Sequence, residues 1–139
     1  MPREDTAREQ EMDRQDSDAN LDRAVFVYTT YPSIVEAERA GRVLVERRLC
    51  ACVNILPGMV SLYWWGGAIE RGDEVVMLIK TRSALAATVG ATVKELHSYT
   101  TPAILVLPIE AVDPDYKAWI MSETAAAMIP TVKTPATKT

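Results

Sequence analysis

The residues of this chain best suited to chemistry are few: one histidine, His97, and two cysteines, Cys50 and Cys52, separated by one residue. An imidazole can serve as a general base or a nitrogen ligand, and a thiolate as a nucleophile or a soft ligand. A Ser-His-Asp or Cys-His arrangement would have to run through His97, and nothing in the spacing around it favours that. The chain carries no Gly-x-Ser-x-Gly elbow, Walker loop or dinucleotide fingerprint. The expectation is a protein that is not an enzyme and carries no organic cofactor. Metal binding is the remaining chemistry. Structural zinc takes four nitrogen or sulfur ligands, and one copy of this chain offers three at most. There is no His-x-His, His-x-x-x-His or Cys-x-x-Cys spacing. Thiolates would suit Cu(I). His97 and Cys52 are therefore the candidate metal ligands, and an oligomer could gather three copies of a weak ligand. Each residue also has a plainer reading. His97 can cap a helix and hydrogen-bond, Cys52 can be a small core residue, and Cys50 can be structural at a helix-to-strand junction.

Other side chains are candidates for a cleft. Lys80 is the one charge in the strand-like run Glu74-Val-Val-Met-Leu-Ile-Lys-Thr81 after its first residue. It either reaches solvent along its stem or binds an anion between subunits. Tyr99, two residues beyond His97, either lines the same cleft or simply packs. Asn54 is polar in an apolar strand and needs a hydrogen-bond partner if buried. Tyr63, Trp64 and Trp65 form an aromatic run that reads as interface anchors rather than a ligand cage.

These residues need elements to position them. Ala24-Val-Phe-Val-Tyr-Thr-Thr30 reads as a buried strand. Ser33 and Glu36 form a capping box for a helix with Ala37, Ala40, Val43 (with Leu44) and Arg47 along one line. The block Cys52–Gly66 bends at Pro57-Gly58 and ends in Gly66-Gly67, which suits a two-residue primed turn. That turn places Trp65 opposite Ala68, Trp64 opposite Ile69 and Tyr63 opposite Glu70. Gly72-Asp73 is expected to mark a bulge. Ser83 starts a second helix with Leu85, Val89, Val93 and Leu96 at spacings of 4, 4 and 3. Ala103-Ile-Leu-Val-Leu-Pro108 reads as another buried strand, and Asp113-Pro114 caps a third helix with Tyr116, Trp119 and Ile120 on one face.

The order β-α-β-β-α-β plus a C-terminal helix predicts an α+β, ferredoxin-like sandwich. Residues 52 to 65 would span about 45 Å at roughly 3.3 Å per residue. A domain of about 100 residues has a radius of gyration near 13 Å. Part of the hairpin should project, with its aromatic tip exposed unless other subunits cover it. The second face of the sheet needs shelter too, so both features predict an oligomer.

The segments Ala51-Cys-Val-Asn-Ile-Leu-Pro-Gly58, Ser61-Leu-Tyr-Trp-Trp-Gly-Gly-Ala-Ile-Glu70, Leu78-Ile-Lys-Thr81, Glu95-Leu-His-Ser-Tyr99 and Asp115-Tyr-Lys-Ala-Trp119 resemble the CutA-type divalent-cation tolerance family over about residues 24 to 122. The resemblance implies a ferredoxin-like protomer, a homotrimer held by strand exchange between long hairpins, and tolerance to copper and other divalent metals. It also implies kinship in shape with trimeric nitrogen-regulatory signal transducers that bind nucleotides between subunits. That leaves a small-ligand or nucleotide sensor and a structural trimer scaffold as alternatives. After the second helix the family pattern resembles His-Pro-Tyr-Glu, a small or apolar residue, Pro, then Glu. This chain keeps His97, Tyr99 and Pro102, but has Thr100 and Ala103 where the pattern has carboxylates.

Charge narrows the partners. The net charge of −4 is matched by residues 1–20, where three arginines meet seven acids, so the remaining residues sum to zero. A neutral domain has no general attraction for nucleic acid or anionic membrane. No run approaches the roughly 18 apolar residues of a membrane span, and no apolar stretch follows the first charges as in a signal peptide. Two closely spaced cysteines without a disulfide framework fit a reduced, cytoplasmic setting. The expected organisation is an acidic disordered tail over residues 1–22, one domain over 23–126, and a flexible tail over 127–139.

Overall fold

The computed structural model describes residues 22–127. Apart from Asp22 and Ala127, both expected tails lie outside the described residues. Strand β1 (Ala24–Tyr31) is followed by helix α1 (Ile34–Glu46), a hairpin of β2 (Cys52–Trp65) and β3 (Ala68–Arg82), helix α2 (Ala86–Leu96), strand β4 (Ile104–Pro108) and helix α3 (Pro114–Glu123). The four strands form one antiparallel sheet in the order β2-β3-β1-β4. This is the expected α+β, ferredoxin-like arrangement.

The core lies between α1, α2 and one face of the sheet. Val27, Met77 and Ile79 meet Ala37, Ala40, Leu44, Val89 and Val93, all buried. Gly41 replaces Val43 on the buried line of α1 and Arg47 is exposed, so the apolar stripe follows 37, 40, 41 and 44. The reason is proximity: a Cβ at Gly41 would stand 2.9 Å from Val53 Cγ2. Ser33 Oγ accepts from Glu36 N at 3.2 Å, as a cap should, but Glu36 does not return the bond. Its carboxylate goes to Ser98 instead, accepting from Ser98 N at 3.1 Å and Ser98 Oγ at 2.9 Å. Ser83 opens a single 3-10 turn, Ser83–Leu85, before α2 begins. Leu85 in that turn, with Val89 and Val93 on α2, defines the buried line up to the last turn of the helix, where Leu96 is exposed.

The hairpin follows the expected register at its tip: Trp65 pairs with Ala68, Trp64 with Ile69 and Tyr63 with Glu70. Gly66 and Gly67 take φ of 60° and 83°, the conformation a primed two-residue turn demands. The bulge lies elsewhere than expected. Gly72 and Asp73 sit in regular register, and the slip falls between Leu56 and Met59, at Pro57-Gly58. Proline cannot donate to the ladder and Gly58 has φ of 87°, so the irregularity settles there. One extra residue on β2 reverses which of its side chains share a face with β3. Beyond Tyr31, which pairs with Val75, β3 has only β2 as a neighbour among the described residues. The two-stranded stretch of residues 59–74 therefore projects, and Leu62, Trp64, Trp65 and Ile69 on it are 64–72% exposed.

Strand β4 is not the buried strand expected. Leu105, Val106 and Leu107 are 38–49% exposed, because β4 is an edge strand and its outer side meets no other element among the described residues. Asp113 Oδ2 accepts from Asp115 N and Tyr116 N, both at 3.1 Å, and caps α3 as expected. Of its predicted face, Ile120 is buried while Tyr116 and Trp119 remain over a third exposed. Arg82 fastens the end of β3 to both flanks. It donates to Asp22 Oδ2 at 3.0 Å, Thr124 Oγ1 at 2.8 Å and the Met121 carbonyl at 2.5 Å. Asp22 also accepts from Ala84 N at 2.8 Å, and Ala127 packs on the core. Asp22 and Ala127 thus belong with the domain rather than with the expected tails.

Candidate functional site

The hairpin, β1 and the segment after α2 enclose a cleft of about 860 Å³ on the sheet face away from α1 and α2. The bulge at Pro57-Gly58 builds it. After that slip Met59, Ser61, Tyr63 and Trp65 share a face with Glu74, Gly72, Glu70 and Ala68. Trp64, opposite Ile69, points to the other side. Gly72 serves the site by its small size: a Cβ there would stand 3.5 Å from Tyr63 Cε1, so the Tyr63 ring lies over it.

Glu74 is the centre of the cleft. Its Oε1 accepts from Ser61 Oγ at 2.9 Å, and its Oε2 accepts from Tyr99 Oη at 2.9 Å and Thr30 Oγ1 at 3.3 Å. Three hydroxyls thus converge on one carboxylate. Among the described residues no Lys, Arg or His lies within ion-pair distance of Glu74. Its neighbour Asp73 is paired with Arg71 at 3.1 Å, and both are exposed. Burial pushes the Tyr99 phenol up to about 12, aided by its bond to Glu74.

A stack of rings supports Tyr99. Tyr31 and His97 lie 4.3 Å apart and 11° from parallel, and His97 and Tyr99 follow at 4.7 Å. His97 Nδ1 accepts from Tyr99 N at 3.0 Å, so Nε2 carries the hydrogen and donates to the Thr30 carbonyl at 2.6 Å. The Tyr31 hydroxyl is buried without a partner among the described residues, and burial raises its phenol to about 12, with the Glu36 charge adding to the effect.

The candidate residues read from the sequence therefore separate. His97 and Tyr99 come together as expected. His97 is corrected as an open metal ligand: both ring nitrogens are engaged by backbone groups, and the side chain is fully buried. Cys52 pairs with Lys80, whereas Thr30, beside His97, pairs with Val76. Four residues of strand, about 13 Å, thus divide the two proposed ligands. Cys52 is half-buried; Cys50 is the core thiol, 1% exposed, and burial pushes it to about 12. Lys80 reaches from the sheet to the third helix. It donates to Tyr116 Oη at 2.9 Å and lies 5.4 Å from that ring. Asn54 is exposed and makes only a weak 3.9 Å contact with the Cys52 sulfur. Among the described residues no three His, Cys, Asp or Glu side chains gather as a metal would need.

Glu74, Ser61, Thr30 and Tyr31 were not singled out from the sequence. Glu74 opens the apolar half of β3 and shares the parity of Lys80, which is a signal. Ser61 could not be assigned to its face without knowing where the bulge falls. Thr100 and Ala103, which stand where the resemblance implies carboxylates, both line this cleft.

Comparison with known proteins agrees with the fold. A model of the CutA1 divalent ion tolerance protein matches residues 25–123. The divalent-cation tolerance protein CutA of Archaeoglobus fulgidus is 48% identical over 95 residues, covering 68% of this chain and 92% of that protein. Its counterpart in Pectobacterium atrosepticum is 42% identical over 104 residues, covering 75% and 94%. The crystal structure of CutA1 from Ehrlichia chaffeensis superposes with a TM-score of 0.73 at 28% identity, covering 76% of this chain and 98% of that one. The chain belongs to the CutA1 divalent ion tolerance family.

Proposed function

We propose that this chain acts as a homotrimeric, non-catalytic divalent-cation tolerance protein of the cytoplasm, copper included, and that metal is held where copies meet. The observation that carries this reading is the projecting hairpin. Residues 59–74 extend beyond β1 with Leu62, Trp64 and Ile69 exposed, an apolar surface that a soluble chain ordinarily covers. The exposed edge β4 adds a second unpaired surface. A single copy brings no three metal-binding side chains together among the described residues, so several copies supply a donor set better than one. Tyr63 and Trp65 belong to the cleft wall as well as to the hairpin tip.

Native mass spectrometry of metal-stripped protein titrated with Cu(I), Cu(II) and Zn(II) tests this. The expected result is an apo trimer that takes up a fixed number of ions. Cys52→Ser should reduce Cu(I) uptake, while His97→Ala should lower stability and leave the ion count alone. A monomeric apo protein, or ion uptake without fixed stoichiometry, overturns the reading.

The cleft favours a second reading, a binder of small ligands, because its volume falls in the range of about 300–1,000 Å³ typical of ligand pockets. A nucleotide suits it poorly. Its phosphates would meet the Glu74 carboxylate, and the cleft contributes no cation of its own to neutralise them.

A further inference from the structure

We infer that His97 is a proton-operated latch: on taking up a second proton, its ring turns Nδ1 from the Tyr99 amide to the Glu36 carboxylate and releases the chain from Tyr99 onward. The device lies within one copy and stands independently of metal uptake. The ring is fully buried in a single chain, and assembly only adds cover, so its partners are those the chain itself supplies.

Three observations carry it. The first is the hydrogen-bond inventory of the ring. Nε2 donates to the Thr30 carbonyl at 2.6 Å, and Nδ1 accepts from Tyr99 N at 3.0 Å. A neutral imidazole has one donor and one acceptor, so both are spent, one on β1 and one on the segment after α2. An imidazolium has two donors and no acceptor. A proton on Nδ1 therefore sets two N–H groups against each other, and the Tyr99 amide has to leave to find another acceptor.

The second is an acceptor already in waiting. Glu36 Oε2 stands 3.7 Å from Nδ1, just beyond hydrogen-bond reach. Ser98 holds it there, donating from N at 3.1 Å and from Oγ at 2.9 Å. The two oxygens of a carboxylate accept about four hydrogen bonds between them, so Ser98 leaves capacity for the ring. A swing of the imidazole about its bond to the Thr30 carbonyl brings Nδ1 to Glu36, and the new contact joins opposite charges. Ser98 is anchored in both states, so the chain hinges between Ser98 and Tyr99.

The third is the shell around the ring. Tyr31 of β1 stacks on it at 4.3 Å and Tyr99 at 4.7 Å, and aromatic faces attract a cation. The titratable and charged groups that face it are Tyr31, Glu36 of α1, Tyr99 and, behind the Tyr99 hydroxyl, Glu74 of β3 at 2.9 Å from that hydroxyl. Lys94 and Glu95, on α2 itself, are exposed. When the Tyr99 amide leaves, its hydroxyl loses the support that holds it against Glu74, while Ser61 and Thr30 keep the carboxylate in place. Acid thus loosens the segment after α2 and leaves the sheet intact.

The test uses the intact full chain in its native oligomeric state, labelled with heavy nitrogen at histidine and tyrosine. His97 is the only histidine, so its ring nitrogens give one unambiguous set of NMR signals. The Tyr99 amide is identified as the tyrosine signal missing from Tyr99→Phe. Spectra are followed from about pH 8 to about pH 4. The expected result is a neutral ring protonated at Nε2 at the upper end. As pH falls, Nδ1 gains its proton and the Tyr99 amide signal moves or broadens with the same midpoint, while the Tyr116 amide holds its position. Glu36→Gln removes the charge and keeps a carbonyl acceptor, and should lower that midpoint by about one pH unit, a tenfold higher proton concentration. The variant is checked for unchanged oligomeric mass, and the parent's titration decides the matter even if the variant fails to fold. A ring that stays neutral throughout, a ring that titrates while the Tyr99 amide stays still, unfolding of the chain before the ring titrates, or an unchanged midpoint in a folded Glu36→Gln protein overturns the proposal.

Discussion

His97 shows how far one side chain's neighbours decide its use. A lone histidine near a helix end suggests a ligand, but here both ring nitrogens serve the backbone and the ring is packed between Tyr31 and Tyr99. The same stack contributes to the response of the domain to alkaline pH. The Tyr31 phenol rises from 10.0 to about 12 in the folded chain. A raised phenol keeps its proton when folded and loses it when unfolded, so its contribution is present below about pH 10 and fades as pH climbs towards about 12. Tyr31→Phe removes a buried hydroxyl that has no partner among the described residues. We expect that variant to be as stable as the parent or more so at about pH 8, and to lose less stability by about pH 11. Urea unfolding at both pH values checks this, and an alkaline decline identical to the parent's would rule out Tyr31 as its source.

At the scale of elements, two helix glycines that look alike in sequence have opposite roles. In α1 a methyl group at Gly41 would press on Val53 Cγ2 at 2.9 Å and Met77 Sδ at 3.3 Å. The branched Val53 side chain cannot yield without moving β2, so Gly41→Ala should destabilise by about 1–3 kcal/mol despite the better helix propensity of alanine. In α2 the nearest atom to a methyl at Gly90 is Ile104 Cγ2 at 3.5 Å, an ordinary contact. Gly90→Ala should therefore stabilise by about 0.5–1 kcal/mol. Thermal melts of the two variants should move in opposite directions; a shift of the same sign in both would refute this account of the α1–sheet contact.

For the whole molecule, the decisive feature is the pair of strands that outruns the sheet. Trp64, 72% exposed in one copy, lies opposite Ile69 and on the face away from the Glu74 cleft. If neighbouring protomers cover that face, Trp64→Ala should cost about 3–5 kcal/mol per site and dissociate or unfold the assembly. Sedimentation and native mass spectra read the outcome, and a folded trimer of unchanged melting temperature would remove Trp64 from the interface.

Local rules on the chain were enough for much of this fold. Apolar runs of period two and near 3.6 determined every strand and helix in order, and Gly66-Gly67 determined the hairpin register, because a primed turn permits only one pairing at the tip. The aromatic tip was legible for the same reason. The site was legible only in part. His97 and Tyr99 stand two residues apart and had to be near each other, but their partners Thr30, Tyr31 and Glu74 come from distant strands. The position of the one-residue bulge decides which β2 side chains face Glu74, and that position rests on Pro57 and Gly58 losing ladder pairing while Gly72 keeps it beneath Tyr63. A shift of one residue exchanges the faces of a strand. Sequence therefore determined the elements and their order, since these depend on neighbours along the chain. Tertiary structure alone decided which hydroxyls meet the carboxylate and which rings enclose it, since those contacts depend on register between strands.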